Sequence, residues 1–364
     1  MTARRPIAVW LDPAQIDLVR AVATQAKCTI VAAGSDARGA RGQSAAVAQA
    51  LDASTLDDLR NALISADVDL VWIASPGEFG RNPEDARAIA AARARGVRVA
   101  SGEPIPASIL ELAPAGWTST SGGPAPSEAI RFLGLPRFSR PFRDAAEVLT
   151  AFATPTAPRS AVIECWSGPQ HGTLASRLFA ALDTLRSLMG EPESLLASYT
   201  TPDALLAPTA PGTASLAVNR AQPPEDLRQL QGDLIATARY DSGRTASVIT
   251  SNHAGRWNTI VTLLSSQGRL RIYDDGFEWL APDGQKRDEL RIRKANRGDP
   301  TLTLHGVAAL ADDLARLTDP SLPDDGPTEI TSLLAMTQAA LLSARTGHSE
   351  SPAAIRAMVG GRTG

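Results

Sequence analysis

Val68-Asp69-Leu70-Val71-Trp72-Ile73-Ala74-Ser75-Pro76 is the stretch on which the fold turns. Leu70 to Ala74 is an unbroken apolar run, without the alternation of a half-exposed strand. Such a run suits a strand covered on both faces, as in a parallel sheet between helices. Working outward, Ile7 to Leu11 reads as a first strand and Pro13 to Ala26 as a helix, with apolar Ile16, Val19, Val22 and Ala23 at helical spacing. Cys28 to Ala33 reads as strand, then Ala45 to Leu51 and Leu56 to Ile64 as helices. Downstream, Asn82 to Arg95 is an Ala-rich helix stopped by Gly96, and Val97 to Ala100 is another strand. Strands alternating with helices predict a doubly wound parallel sheet, whose ligands bind at the carboxyl ends of the strands. That places the loops at Asp12, Gly34, Ser75 and Ser101 on the ligand side.

The pattern changes after a loop-rich bridge at residues 113–127. Two domains are expected, 1–122 and 123–364. The second opens with a strand at Arg159 to Cys165 and a helix over Leu174 to Met189, closed by Gly190. Strands follow at Leu234 to Tyr240, Thr245 to Ser251, Thr259 to Ser265 and Arg269 to Tyr273. The turns Asp241-Ser242-Gly243 and Ser266-Gln267-Gly268 separate them as hairpins require. Helices return at Val307 to Leu317 and Ser332 to Arg345. The expectation is an α+β domain with an open antiparallel sheet, helices on one face, and a surface excursion over 208–224.

The 364 residues carry 36 Lys+Arg against 39 Asp+Glu, a formal net charge of -3. A dedicated nucleic-acid or anionic-membrane binder would carry a basic excess, so neither partner is expected. No apolar stretch is long enough to span a bilayer, and the expected compartment is the cytoplasm. Cys28 and Cys165 give neither a disulfide framework nor metal-ligand spacing, and no metal is expected. Only Lys27, Lys286 and Lys294 are lysines, so any lysine-dependent chemistry has three candidates.

Five segments in order carry a resemblance. They are Val68 to Pro76, Leu185-Arg186-Ser187-Leu188-Met189-Gly190-Glu191-Pro192, Tyr240 to Thr245, Ser266 to Leu270, and Ser343-Ala344-Arg345-Thr346-Gly347. Together they resemble the glucose–fructose oxidoreductase / inositol dehydrogenase (Gfo/Idh/MocA) family over nearly the whole chain. The resemblance implies a Rossmann-like first domain and hydride transfer between NAD(P) and a sugar or cyclitol. It also implies association through the outer face of the open sheet.

The family's site residues can be carried over position by position. Its glycine turn after the first strand falls on Asp12, Ala14 and Asp17. Asp12 also reads as a helix cap followed by Pro13. A carboxylate about 4 Å from a diphosphate repels it by roughly 4 kcal/mol at surface-like dielectric, about a thousandfold in affinity. Asp36, with Arg38 and Arg41, stands where the adenosine ribose or a 2′-phosphate would be met. Ser75 and Pro76 complete the equivalent cofactor positions. The family's Glu-Lys-Pro reads Gly102-Glu103-Pro104, with Glu103 in the lysine position. On the central helix the aligned residues are Ser176, Leu178, Ala180 and Asp183, so Ala180 takes the place of the acid/base histidine. His171 lies two to three turns earlier and could line the cleft mouth.

Three functions are therefore expected to compete. The first is a non-catalytic or cofactor-independent member with no or weak NAD(P) binding. It would hold a sugar-like molecule or act as a subunit, in a homo-oligomer or a heteromer. The second is an active oxidoreductase with a rearranged site using Glu103, His171, Arg177 and Asp183. The third is a cofactor-free lyase or isomerase using Glu103, Glu164, His171 and Asp183. Trp166 and Trp257 are candidate sugar-stacking faces, and the turn Asn252 to Trp257 is a candidate contact loop.

Overall fold

The computed structural model of the chain describes residues 5–36, 42–118, 125–154, 156–201, 222–291, 306–319, 321 and 328–360. Arg38, Arg41 and most of 208–224 lie outside the described residues. The first half forms strands β1 (Arg5–Trp10), β2 (Cys28–Gly34), β3 (Ser54–Thr55), β4 (Leu70–Ile73), β5 (Arg98–Ser101) and β6 (Ile130–Phe132). They build one parallel sheet in the order β3-β2-β1-β4-β5-β6. Helices α1 (Ile16–Gln25), α2 (Gln43–Ala50), α3 (Leu59–Ser65) and α4 (Pro83–Ala94) connect its strands. All four residues of β4 are buried, which is what an uninterrupted apolar run demands. The strand order reverses between β1 and β4, so the loops after Trp10 and Ile73 flank a crevice.

The second half adds α5 (Arg140–Asp144), α6 (Ala146–Ala153), β7 (Ser160–Trp166), α7 (Leu174–Met189), β8 (Ser194–Thr200), β9 (Asp233–Arg239), β10 (Thr245–Ser251), β11 (Asn258–Ser265), β12 (Gly268–Tyr273), β13 (Gly276–Leu280), β14 (Lys286–Arg291), α8 (Val307–Thr318), α9 (Ile330–Thr346) and α10 (Pro352–Gly360). Its eight strands run β14-β13-β12-β11-β7-β10-β9-β8. Burial alternates along β7, with Ala161, Ile163 and Cys165 inward under α7.

Two expectations need correction. The second sheet is mixed, because β7 and β10 pair in parallel. A hairpin rule sees only consecutive strands, and this pair is separated by α7, β8 and β9. Residue 122 precedes β6, so the first sheet takes one strand from beyond that expected boundary. Further on, α8 returns to pack Val307, Leu310, Ala311 and Leu314 in the same core cluster as Leu18, Val19 and Val22 of α1. The described part of the bridge is turns and a short 3-10 helix at Pro126–Ala129, as a loop-rich bridge implies, and it contributes to the core. Trp117 is fully buried, and its indole N–H donates to the Gly80 carbonyl at 3.0 Å.

Candidate functional site in the crevice between the sheets

The crevice begins where β1 ends. Asp12 caps a short 3-10 turn, Pro13–Gln15, and accepts the Ala14 amide at 2.8 Å. The Gln15 amide donates to the Asp12 carbonyl at 2.8 Å. The Gln15 side chain is buried and accepts the Asp12 amide at 3.1 Å. This is a closed capping box, favoured by Asp at the cap and Pro at the first position. The turn amides that a phosphate would need are thus hydrogen-bonded within the chain. Asp12 and Ala14 are both exposed, with the Asp12 carboxylate at the rim.

Beyond β2, Asp36 does not reach outward for a ribose. Its carboxylate accepts the Glu78 amide at 3.0 Å, and a Cβ built on Gly77 would lie 2.5 Å from its Oδ2. Gly77 sits at φ +56, so a side chain there would be both strained and in collision. Ser75 is half-buried and Pro76 buried, in the turn that follows β4. These residues enclose a cavity of about 410 Å³ lined by Asp12, Asp36, Ser75, Glu78, Arg228 and Gln229, among others.

Arg228 is the basic residue of that lining, and its charge is already engaged. Its two terminal nitrogens each meet one oxygen of Glu111 at 3.0 Å, and Nη1 also meets Asp226 at 3.3 Å. Arg81 bonds both Asp226 and Glu78. The second domain is thereby clasped to the loops after β4 and β5. No local signal foretells this: Glu111 lies 117 residues from Arg228. Around the diphosphate position the described residues therefore offer the carboxylates of Asp12, Asp36 and Glu78, satisfied turn amides and a committed guanidinium. These residues do not fit the diphosphate of a dinucleotide.

Glu103 lies just beyond the end of β5. It is buried, and its Oε1 accepts the Thr173 amide at 2.7 Å, at the N-terminus of α7. Burial pushes its carboxyl up to about 7, against the pull of that hydrogen bond and of Arg228. Gly172, at φ +106, makes room for it: a Cβ there would lie 2.7 Å from Oε1. The position aligned with a catalytic lysine thus holds a carboxyl joined to the helix that should present the histidine.

That helix presents no imidazole. Ala180 is buried, and the Ser176 hydroxyl donates to the Thr173 carbonyl at 3.1 Å. Asp183 is buried and paired with Arg137 at 2.6 Å; burial raises its carboxyl while Arg137 offsets part of that rise. Ten residues of helix separate Asp183 from Thr173, about 15 Å of rise. Glu103 and Asp183 are therefore not brought together. His171 is buried rather than at an open mouth. Its Nδ1 lies 3.3 Å from the Gly168 carbonyl oxygen and its ring 5.4 Å from Trp257. The expected contact loop is exposed from His253 to Arg256 and buried at Trp257, while Trp166 is half-buried. Cys28 and Cys165 are free and buried. Among the described residues no cluster is suited to hold a metal ion, and no helix is long and apolar enough to cross a membrane.

No protein-family model matches the sequence, and no curated protein matches it. Solved structures do match in shape. Levoglucosan dehydrogenase in complex with NADH and levoglucosan superposes with a TM-score of 0.65 at 12% identity, covering 96% of this chain and 99% of that one. An Agrobacterium radiobacter oxidoreductase in complex with NAD+, L-tartaric acid and magnesium gives 0.62 at 14%, covering 97% and 100%. Apo scyllo-inositol dehydrogenase from Lactobacillus casei gives 0.58 at 14%, covering 97% and 99%. The parallel sheet, the crevice and the second, mixed sheet agree with that likeness: the chain has the two-domain fold of the Gfo/Idh/MocA-type oxidoreductases.

Proposed function

We propose that this chain keeps the oxidoreductase scaffold without its hydride chemistry. It binds NAD(P) weakly or not at all and serves as a binder of a sugar-like molecule or as a subunit, associating through the outer face of the second sheet. The supporting observation is the capping box at Asp12–Gln15, which satisfies the turn amides internally and sets a carboxylate at the rim. Glu103 and Ala180, in the lysine and histidine positions, agree with it. Fold similarity to dehydrogenases does not oppose this, since chemistry resides in site residues rather than scaffolds.

Titrating NADH and NADPH while following energy transfer from Trp10 and Trp72 tests the reading. The expected outcome is no saturation up to about 1 mM, the affinity range of a merely weak ligand. Saturation in the micromolar range overturns it.

One observation favours a second reading, an active enzyme with a rearranged site. Glu103 is a buried carboxyl with its pKa near 7, where a general base works well at neutral pH. Reduction of NAD by a polyol or sugar that is lost in Glu103→Gln would establish that reading instead.

A further inference from the structure

Arg177, on the first turn of α7, is 2% exposed. Its guanidinium stacks on the Trp257 ring at 3.6 Å. Its Nε and Nη1 are buried and hydrogen-bond to nothing among the described residues. A buried donor without a partner costs about 1–3 kcal/mol, and more when it is charged. Arginine cannot escape by discharging at neutral pH, even though burial brings its pKa down to about 10. The carboxylate that acts on it, Asp274, is exposed and takes the Thr259 amide at 3.0 Å.

The Trp257 indole that covers this cation sits in a slot made by glycines. A Cβ on Gly306 would lie 2.5 Å from the indole, and one on Gly134 would lie 3.0 Å from it and 3.3 Å from Nη2 of Arg177. Both glycines have positive φ, at +94 and +76. His171 closes another side at 5.4 Å. The side chain that fills the slot follows a turn exposed over His253 to Arg256. Beside it lies a residual cavity of about 20 Å³, lined by Gly134, Ser139, Trp257 and Thr259 among others. That is room for one water at most.

We propose that Arg177 is the anion-binding floor of a ligand site whose ring slot Trp257 occupies in the chain's own resting state. The ligand is a ring-bearing carboxylate, such as a sugar acid. Its ring takes the place of the indole between Gly134 and Gly306, and its carboxylate accepts from the buried Nε–H of Arg177 in a charge-assisted hydrogen bond. This deepens the ligand-binding part of the proposed function and names its chemistry. It does not depend on whether a dinucleotide binds.

The test uses the full chain without cofactor and two matched pairs of probes, glucuronate with glucose and benzoate with benzamide. Binding is read by calorimetry in the wild type, Trp257→Ala, Arg177→Met and the double variant. Trp257→Ala is expected to bind a carboxylate about tenfold or more tighter than its neutral partner, the scale of a charge-assisted pair. The wild type binds it more weakly, because the indole must leave first. The added Arg177→Met abolishes the preference. Equal binding of acid and neutral probes, a preference that survives loss of Arg177, or no binding to Trp257→Ala each overturns the proposal. If circular dichroism shows that Trp257→Ala does not fold, Trp257→Val, which also removes the ring, replaces it, and the same loss of preference on adding Arg177→Met decides. NADH saturation would sink the proposed function and leave this result standing.

Discussion

At the scale of single residues, Asp12 and Glu103 carry opposite kinds of information. Asp12 is exposed, so its effect divides into a cap and a charge that two substitutions separate. Asp12→Ala removes the cap and is expected to lower stability by about 1 kcal/mol in urea denaturation. Asp12→Asn keeps the cap while removing the charge, and should stay within a few tenths of a kcal/mol of wild type. Equal losses in both variants would mean that the carboxylate is held by charge rather than by capping. Glu103 is buried, with its carboxyl raised from 4.5 to about 7. Below about pH 4.5 it is neutral in both states and contributes no pH dependence. Between about 4.5 and 7 the unfolded chain ionises first, so its contribution falls as pH rises, by roughly 3 kcal/mol at most. Above about 7 the contribution is level. Glu103→Gln should therefore gain on wild type between pH 5 and pH 8, read as diverging urea midpoints. Parallel midpoints across that range would show that burial does not shift this group.

At the scale of elements, the clasp from residues 226–228 to the loops after β4 and β5 is the part most exposed to loss. The Arg228 side chain is 6% exposed and that of Glu111 22%, so removing one partner strands a mostly buried charge. Arg228→Met is expected to cost about 3 kcal/mol, near the low end for breaking a buried pair. A double-mutant cycle with Glu111→Gln should return a coupling above about 1 kcal/mol. A coupling near zero would reduce the pair to a surface contact. This clasp also marks where sequence reading stops. The strand Leu70–Ile73, the helix Leu174–Met189 and the cap at Asp12 are local patterns, legible because their causes lie within a few residues. β8 carries the same alternating signal in Leu195, Ala197 and Tyr199, all inward, and goes unread only because no familiar turn introduces it. The parallel pairing of β7 with β10 and the Arg228–Glu111 contact are set by chain folding over 80 to 120 residues. No spacing rule reaches that far. The family resemblance alone assigns Ala180 and Glu103 to the carried-over positions, whereas the Gln15 side chain on the Asp12 cap and the Trp257 indole over Arg177 required the packed structure.

For the molecule as a whole, the helices among the described residues that pack most on the second sheet, α7 and α9, lie on one face, the inner one. Register places Ile235, Ile249, Glu164, Ile260 and Tyr273 in one row across five strands of the outer face. Ile235 is 54% exposed, and Leu196, on the next row, and Leu264, two rows away, are 40% exposed. The other three aliphatic or aromatic members of the Ile235 row are half-buried. A row of exposed and half-buried apolar side chains, interrupted only by Glu164, is the kind of sheet surface that association covers. A second copy of the chain is the simplest occupant, since one patch then serves both sides about a two-fold axis. The chain is accordingly expected to run as a dimer or larger by light scattering after size exclusion, against its monomer mass of 38.2 kDa. Ile235→Arg with Ile260→Arg places like charges at the centre of that face and should return a folded monomer. A wild-type monomer at high concentration, together with unchanged behaviour of the double variant, would leave the face free for a different subunit. Glu164 then becomes informative. It is the one carboxylate in the row, and a face that buries it must supply a cation or hydroxyl opposite. In a self-paired dimer, Glu164→Leu should strengthen association if that partner is poor. It should weaken association if the partner is well placed.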